Sequence, residues 1–161
     1  MTHALIGQFL LTNDQVKKYY LDLNDDEIKA VFKPINCIGW LIGHMALGNY
    51  QFLFKNIGND IPEDAKLYGN GQPHSTPDRD LIINMWEDSA DNLKNWIINV
   101  SDDDLINNMT GKMKDEKVNL GTDLSRMMFH TWNHLGEIAS VRQLLGKDPG
   151  NPGYGSWDWR F

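Results

Sequence analysis

Apolar residues recur at helical spacing along most of the chain, and no stretch alternates convincingly with a period of two. Four long segments predict helices, at 2–21, 35–57, 76–100 and 120–145. The second segment is apolar almost all round, which is typical of a helix buried on several sides. Four long helices in one chain of this length predict an all-α four-helix bundle.

Local signals mark where several of these elements begin and end. Asn24-Asp25-Asp26-Glu27 and Ser101-Asp102-Asp103-Asp104 both have the form of a helix cap, and each predicts a short helical turn. Thr76-Pro77 predicts a helix start, with a capping hydroxyl followed by proline at the first helical position. Gly146 predicts the end of the last helix, because glycine accepts the left-handed conformation there.

Two stretches fall outside the helical pattern. Residues 58–75 are rich in Gly, Asn, Pro and Asp and predict a long loop, either a functional lid or a plain surface excursion. Residues 150–161 contain four aromatic side chains, so we expect this tail to pack on the bundle. No linker or internal repeat divides the chain, which predicts a single domain over residues 1–161.

Composition narrows the choice of partners. The 161 residues include 15 Lys plus Arg against 22 Asp plus Glu, a formal net charge of −7. This balance argues against nucleic acid, since binding phosphates requires Lys and Arg. No apolar window is long enough for a membrane span, and the first residues lack the pattern of a secretory signal. With one cysteine, Cys37, we expect a cytoplasmic protein. The composition leaves both a small-molecule substrate and protein partners open.

The histidines are the candidate chemistry. His130 and His134 are four residues apart, so they lie about 40° apart on one helix face, and their nitrogens can converge on one metal ion. His44 has a similar place beside the apolar stripe of the second long helix, where Gly43 permits close approach of another backbone. The alternative is that these histidines are satisfied by hydrogen bonds or solvent. Thr131 follows His130, so the pair lacks the glutamate of the zinc-protease pattern.

Glu137 is the candidate catalytic residue, because it follows His134 by three positions and therefore shares its face. It has three interpretations: an acceptor that orients a ligand histidine, a base acting on water, or an ion-pair partner of Arg142 or Lys147. We expect Arg142 itself to form a structural ion pair, and Asn49 to join a hydrogen-bond network in the core.

The remaining candidates have simpler interpretations. We expect Cys37 to be buried as a small hydrophobic residue, and His3 and His74 to be exposed to solvent. Three aromatic residues either line a pocket beside the histidines or pack in the core: Trp40, Tyr50 and Trp132.

Two segments together resemble the paired signatures of the DinB-like superfamily. Residues 34–46 (PINCIGWLIGHMA) contain the single histidine of the second helix, and residues 130–146 (HTWNHLGEIASVRQLLG) contain His-x-x-x-His followed by Gly, Glu, Arg and a terminal Gly. The resemblance implies a four-helix bundle with a long crossover loop between its second and third helices. It also implies a divalent metal, commonly zinc or nickel, held by His44, His130 and His134.

The resemblance also implies a range of activities. Members of that superfamily include thiol S-transferases that use bacillithiol or mycothiol, a mycothiol-dependent isomerase, and proteins described only as metal-dependent hydrolases. Their common requirement is an open metal position that lowers the pKa of water or of a low-molecular-weight thiol. We therefore predict a metal-dependent hydrolase or thiol S-transferase, and by resemblance a homodimer. The alternative is a non-catalytic, stress-related bundle that binds a metal or small ligand.

Overall fold

The structure, a computed structural model, describes residues 3–107 and 118–150. Within these ranges the regular elements are helical: α1 (Ala4–Lys18), α2 (Asp25–Lys29), α3 (Ile38–Ile57), a 3₁₀ helix (Ala65–Tyr68), α4 (Arg79–Ile97), α5 (Asp102–Ile106) and α6 (Leu120–Leu144). The four long helices are the four that the apolar pattern predicts. The all-α prediction is therefore confirmed.

The four long helices pack side by side around a shared core. Helix α3 lies against α4 and α6, and α1 lies against α6 and α4. Each of the four contributes a fully buried side chain to one apolar cluster, namely Phe9, Phe52, Leu93 and Leu124. Because α3 is apolar on most of its surface, it can be covered by neighbours on several sides, and most of its residues are buried.

Helix α1 ends at Lys18, three residues before the predicted end at 21, and a buried arginine occupies the space beyond it. The Arg142 guanidinium donates to the Tyr19 carbonyl at 2.9 Å and to both carboxylate oxygens of Asp22 at 2.7 and 3.0 Å. Arg142 is 3% exposed, so these acceptors satisfy a charge that has left water. The predicted structural ion pair of Arg142 is present.

The predicted start of the third long helix is wrong by two residues. The sequence pattern puts the cap at Thr76, whereas the structure has Asp78 as the N-cap and Arg79 as the first helical residue. Contacts with α2 account for the difference. The Asp78 carboxylate pairs with Lys29 and makes no capping hydrogen bond, and the Arg79 N–H donates to Asp25 at 2.9 Å.

Both predicted capping boxes are present, and so is the terminal glycine. Asn24 and Glu27 cap α2 reciprocally, and Ser101 and Asp104 do the same for α5. Gly146 directly follows the C-cap of α6 with a φ of 74°, a conformation that costs glycine little.

The connection between α3 and α4, residues 58–78, packs on the bundle through its 3₁₀ helix. Ala65 and Tyr68 are buried there against the core of α3. The crossover path of this connection stays a prediction. Of the aromatic tail at 150–161, residues 151–161 lie outside the described residues. In the ranges that the structure describes, no helix has the length and apolar character to cross a membrane.

Candidate metal centre

Helices α3 and α6 bring three of the five histidines together. His44 comes from α3, and His130 and His134 come from adjacent turns of α6. The His130 Nε2 atom lies 3.1 Å from the Nε2 of His44 and 3.1 Å from the Nε2 of His134. All three residues are partly buried. The three metal ligands that the resemblance implies therefore form one cluster.

The orientation of His44 depends on the loop between α3 and α4. Its Nδ1 lies 2.7 Å from the backbone carbonyl of Tyr68, which can only accept, so Nδ1 carries the proton. The Nε2 of neutral His44 is then a free lone pair that points into the cluster. The Trp40 ring stacks on the imidazole with centroids 5.2 Å apart and an interplanar angle of 10°. These two contacts set both the tautomer and the plane of the ring.

Gly43 makes the Tyr68 contact possible. A Cβ atom at this position would lie 2.6 Å from Cγ of Tyr68 and 2.8 Å from Cδ1 of Ile82. Any larger residue would therefore push the Tyr68 ring away from α3. A close approach occurs at Gly43, but the approaching groups are the side chains of Tyr68 and Ile82 and not the predicted backbone.

His134 is oriented by a carboxylate of its own helix. Its Nδ1 lies 2.8 Å from Oε2 of Glu137, so Nδ1 donates and Nε2 keeps its lone pair. The ion-pair alternatives for Glu137 do not form, because Arg142 binds Asp22 and Lys147 pairs with a different glutamate at 3.0 Å. The position of Glu137 matches that of an acceptor that orients a ligand imidazole.

The His130 ring lies close to both other rings, with centroids 4.5 Å from that of His134 and 5.0 Å from that of His44. Burial, and then the neighbouring His134 and His44, lower the pKa of His130 to about 4, so the ring is neutral at pH 7. Burial also lowers the pKa of His44. A neutral imidazole carries one proton, so His130 can donate from Nε2 to one of its two neighbours at a time. Its Nδ1 is buried and has no hydrogen-bond partner in the part of the chain that the structure describes.

This donor set fits a divalent metal ion. Imidazole nitrogens that share one ion at about 2.0–2.1 Å lie about 2.9–3.4 Å from one another, depending on the coordination angle. The two separations of 3.1 Å fall within that range. Two of the three lone pairs are directed by fixed tautomers, and a cation between the nitrogens would relieve their mutual repulsion. Imidazole ligands suit zinc and nickel among other transition metals.

Other predicted residues lie away from the cluster and have structural contacts. Cys37 is buried at the N-cap of α3, and burial raises the pKa of its thiol. Asn49 donates to Ser89 at 3.3 Å inside the core, as predicted. His3 and His74 are exposed, also as predicted.

Of the three aromatic candidates, one contacts the histidine cluster and two form hydrogen bonds to neighbouring helices. Trp40 contacts His44 directly. The Tyr50 hydroxyl instead donates to Asp88 at 2.7 Å, and Trp132 Nε1 donates to Thr12 at 3.2 Å. Trp40 is thus a buried core residue that contacts the cluster, whereas the other two side chains join neighbouring helices; a pocket beside the histidines stays a prediction.

Sequence reasoning missed the contribution of Tyr68. The contact comes from its backbone carbonyl, so no side-chain motif marks it. The available signal was the pair of Ala65 and Tyr68, three positions apart in a mainly polar loop, which indicates a helical turn anchored on the bundle. Tyr68 is 4% exposed.

The fold and the site together define a helical bundle with a three-histidine candidate metal centre between two of its helices. The family model of the DinB superfamily matches residues 8–138, a range that includes the three histidines and Glu137. The chain belongs to the DinB superfamily, as its sequence resemblance indicates. A comparison with curated proteins found no match.

Proposed function

We propose that this protein is a metal-dependent enzyme in which His44, His130 and His134 hold one divalent ion, zinc or nickel. The observation that carries the proposal is the convergence of three imidazole nitrogens, in which His130 Nε2 lies 3.1 Å from the Nε2 of each of the other two and two tautomers are fixed by neighbouring acceptors. When bound, such an ion supplies Lewis acidity that makes water or a low-molecular-weight thiol a nucleophile at neutral pH. The substrate is then a small electrophile.

The protein's own contribution is to hold two of the three nitrogens, those of His44 and His134, ready for the ion. The Tyr68 carbonyl and the Glu137 carboxylate each accept a proton-bearing Nδ1, which leaves the Nε2 lone pairs free. Acceptors of this kind raise the basicity of ligand histidines and limit their rotation. Glu137 has a side chain that is 43% exposed and touches His134, so we assign it a positioning role.

Metal content tests the first part of the proposal. Tag-free wild type, His130→Ala and the matched control His74→Ala are purified and measured by elemental mass spectrometry, with circular dichroism to confirm folding. We expect about one metal ion per chain in wild type and in His74→Ala, and none in His130→Ala. Folded wild type that binds neither zinc nor nickel after incubation would overturn the proposal.

Turnover by the metal-loaded protein distinguishes the reaction classes. Chromogenic esters are offered without thiol, and a chromogenic alkylating substrate is offered with bacillithiol, mycothiol or another small thiol. Ester cleavage alone indicates a hydrolase, and thiol-dependent conjugation indicates an S-transferase. The absence of both reactions in protein that binds metal favours the second candidate.

That second candidate is a non-catalytic bundle that binds metal or a small ligand and acts by associating with itself. Two large apolar side chains of α6 are exposed, Phe129 at 73% and Leu144 at 54%. Exposed apolar residues of this kind favour association, so we propose a homodimer for both candidate functions. We also propose a cytoplasmic location for both. Sedimentation velocity of wild type and Phe129→Ser tests it, with a monomeric wild type as the opposing result.

A further inference from the structure

A second concave site lies on the opposite side of the bundle from the histidines. It is a groove of about 450 Å³ between α1 and α4, whereas the histidine cluster lies between α3 and α6. Its volume is within the range of small-molecule sites, about 300–1,000 Å³. The groove and the histidine cluster therefore have no lining residue in common.

The floor of the groove is apolar with one polar group. Tyr20 and Trp86 are buried at 1% and 3% exposure, and the partly buried Ala90 lies beside them. Asn13 also lines the floor at 8% exposure, and its Oδ1 has no hydrogen-bond partner among residues 3–107 and 118–150. A buried carboxamide without a partner costs free energy, which a ligand that can hydrogen-bond to it would recover.

The rim of the groove is charged and has an excess of acid. Lys17 and Glu87 pair across it at 3.5 Å, and the Tyr20 hydroxyl donates to the same glutamate at 3.4 Å. Asp14 and Asp91 also lie on the rim, and neither forms an ion pair within the described ranges. These two carboxylates outnumber the one remaining cation of the rim, Lys94.

We propose that this groove binds a small organic cation with an aromatic body, such as an arylalkylamine. The flat apolar part of the ligand packs against the partly buried Leu10 and Ala90, above the buried rings of Trp86 and Tyr20. The ammonium group lies between Asp14 and Asp91, and an N–H of the ligand donates to Asn13. Each part of the ligand is thus matched to one part of the groove.

The probe is tryptamine, titrated into the full ¹⁵N-labelled chain and followed by heteronuclear NMR. We expect shifts in the side-chain amide of Asn13 and in the indole N–H of Trp86. The indole signal of Trp40, which stacks on His44, stays in place. A shift confined to that signal would place the ligand at the histidines and overturn the proposal.

Charge specificity is tested with two analogues and two double variants. Indole-3-acetate, which reverses the charge, and putrescine, which lacks the ring, are expected to bind at least about tenfold more weakly than tryptamine. Asp14→Asn with Asp91→Asn should raise the tryptamine Kd about five- to tenfold, as expected for two exposed ion pairs. The control variant, Asp80→Asn with Asp103→Asn, makes the same change in net charge away from the groove and should leave the tryptamine Kd unchanged.

Three results would contradict the inference. Equal binding of indole-3-acetate would show that the rim does not select a cation. An equal loss of affinity in both double variants would assign the effect to net charge and not to the groove. A complete lack of binding at millimolar tryptamine, with dispersed spectra that confirm folding, would show that the groove does not take this class of ligand.

Discussion

Substituting alanine for Gly43 tests whether the loop between α3 and α4 positions the metal centre. An added Cβ would lie 2.6 Å from Tyr68 Cγ, where ordinary van der Waals contacts are 3.4–4 Å, so the ring has to move by about 1 Å. The carbonyl of the same residue accepts the hydrogen bond of His44 Nδ1 at 2.7 Å. Displacing Tyr68 therefore perturbs both the core and the orientation of a ligand histidine.

The expected magnitude follows from two opposing effects. Glycine to alanine within a helix stabilises by about 0.5–1 kcal/mol through backbone entropy and helix propensity. Overpacking of a tightly packed position costs about 1–3 kcal/mol. We expect Gly43→Ala to be destabilised by about 1–2 kcal/mol in urea denaturation. The zinc affinity should fall about tenfold, because an acceptor behind a ligand histidine is lost or misplaced.

Gly136→Ala is the matched control, because it adds the same methyl group to a helix. Gly136 lies on α6, close in sequence to His134, yet in the described part of the chain no neighbouring segment comes within 4 Å of the place its Cβ would take. We expect this variant to be stabilised by up to about 1 kcal/mol and to bind zinc like wild type. If Gly43→Ala shows the same gain in stability and the same zinc affinity as Gly136→Ala, the positioning argument is refuted.

Three further predictions concern Glu137, the buried arginine and a helix cap. Glu137→Gln removes the charge that accepts from His134, so the zinc affinity should fall about tenfold, measured by competition with a chromophoric chelator. Arg142 lowers the pKa of Asp22, so their pairing stabilises the fold above about pH 4, and this stabilisation is lost on further acidification. Asp22→Asn should lower the free energy of unfolding by about 1 kcal/mol at pH 7, a modest value because the Asp22 side chain is partly exposed. The variant should also lose less stability than wild type when the pH is lowered. Asn24→Ala removes an N-cap and should cost about 1 kcal/mol in thermal or urea denaturation.

Each of these predictions has a control and a contrary result. Glu87→Gln makes the same change on the far side of the bundle, and an equal loss of zinc affinity there would exclude a specific role for Glu137. Asp103→Asn is the control for Asp22→Asn, because it alters an exposed acid. If Asp22→Asn loses as much stability in acid as wild type does, the argument that links stability to the pKa of Asp22 is contradicted. Wild-type stability in Asn24→Ala would show that α2 is held by its tertiary contacts alone.

The elements that could be read from the sequence depend on neighbours along the chain. The His130 and His134 pair follows from helical spacing, and the capping boxes at Asn24 and Ser101 follow from residues three positions apart. Gly146 ends α6 because of its own conformational freedom. Hydrophobic periodicity was enough for four long helices, since it reports which face of each helix leaves water.

The parts that residue spacing could not predict depend on contacts between distant segments. Helix α4 begins after Asp78 and not after Thr76, where Lys29 pairs with the Asp78 carboxylate. The family resemblance named His44, but its spacing from His130 could not place it in the site, and the packing of α3 on α6 brings the two together. The acceptor behind His44 is a backbone carbonyl, which every residue possesses, so no residue type marks Tyr68. Spacing and capping patterns act over one or two helical turns of the chain. The metal centre and the groups that orient its histidines come from separate helices and a loop, so the packing of side chains across the bundle decides which groups meet.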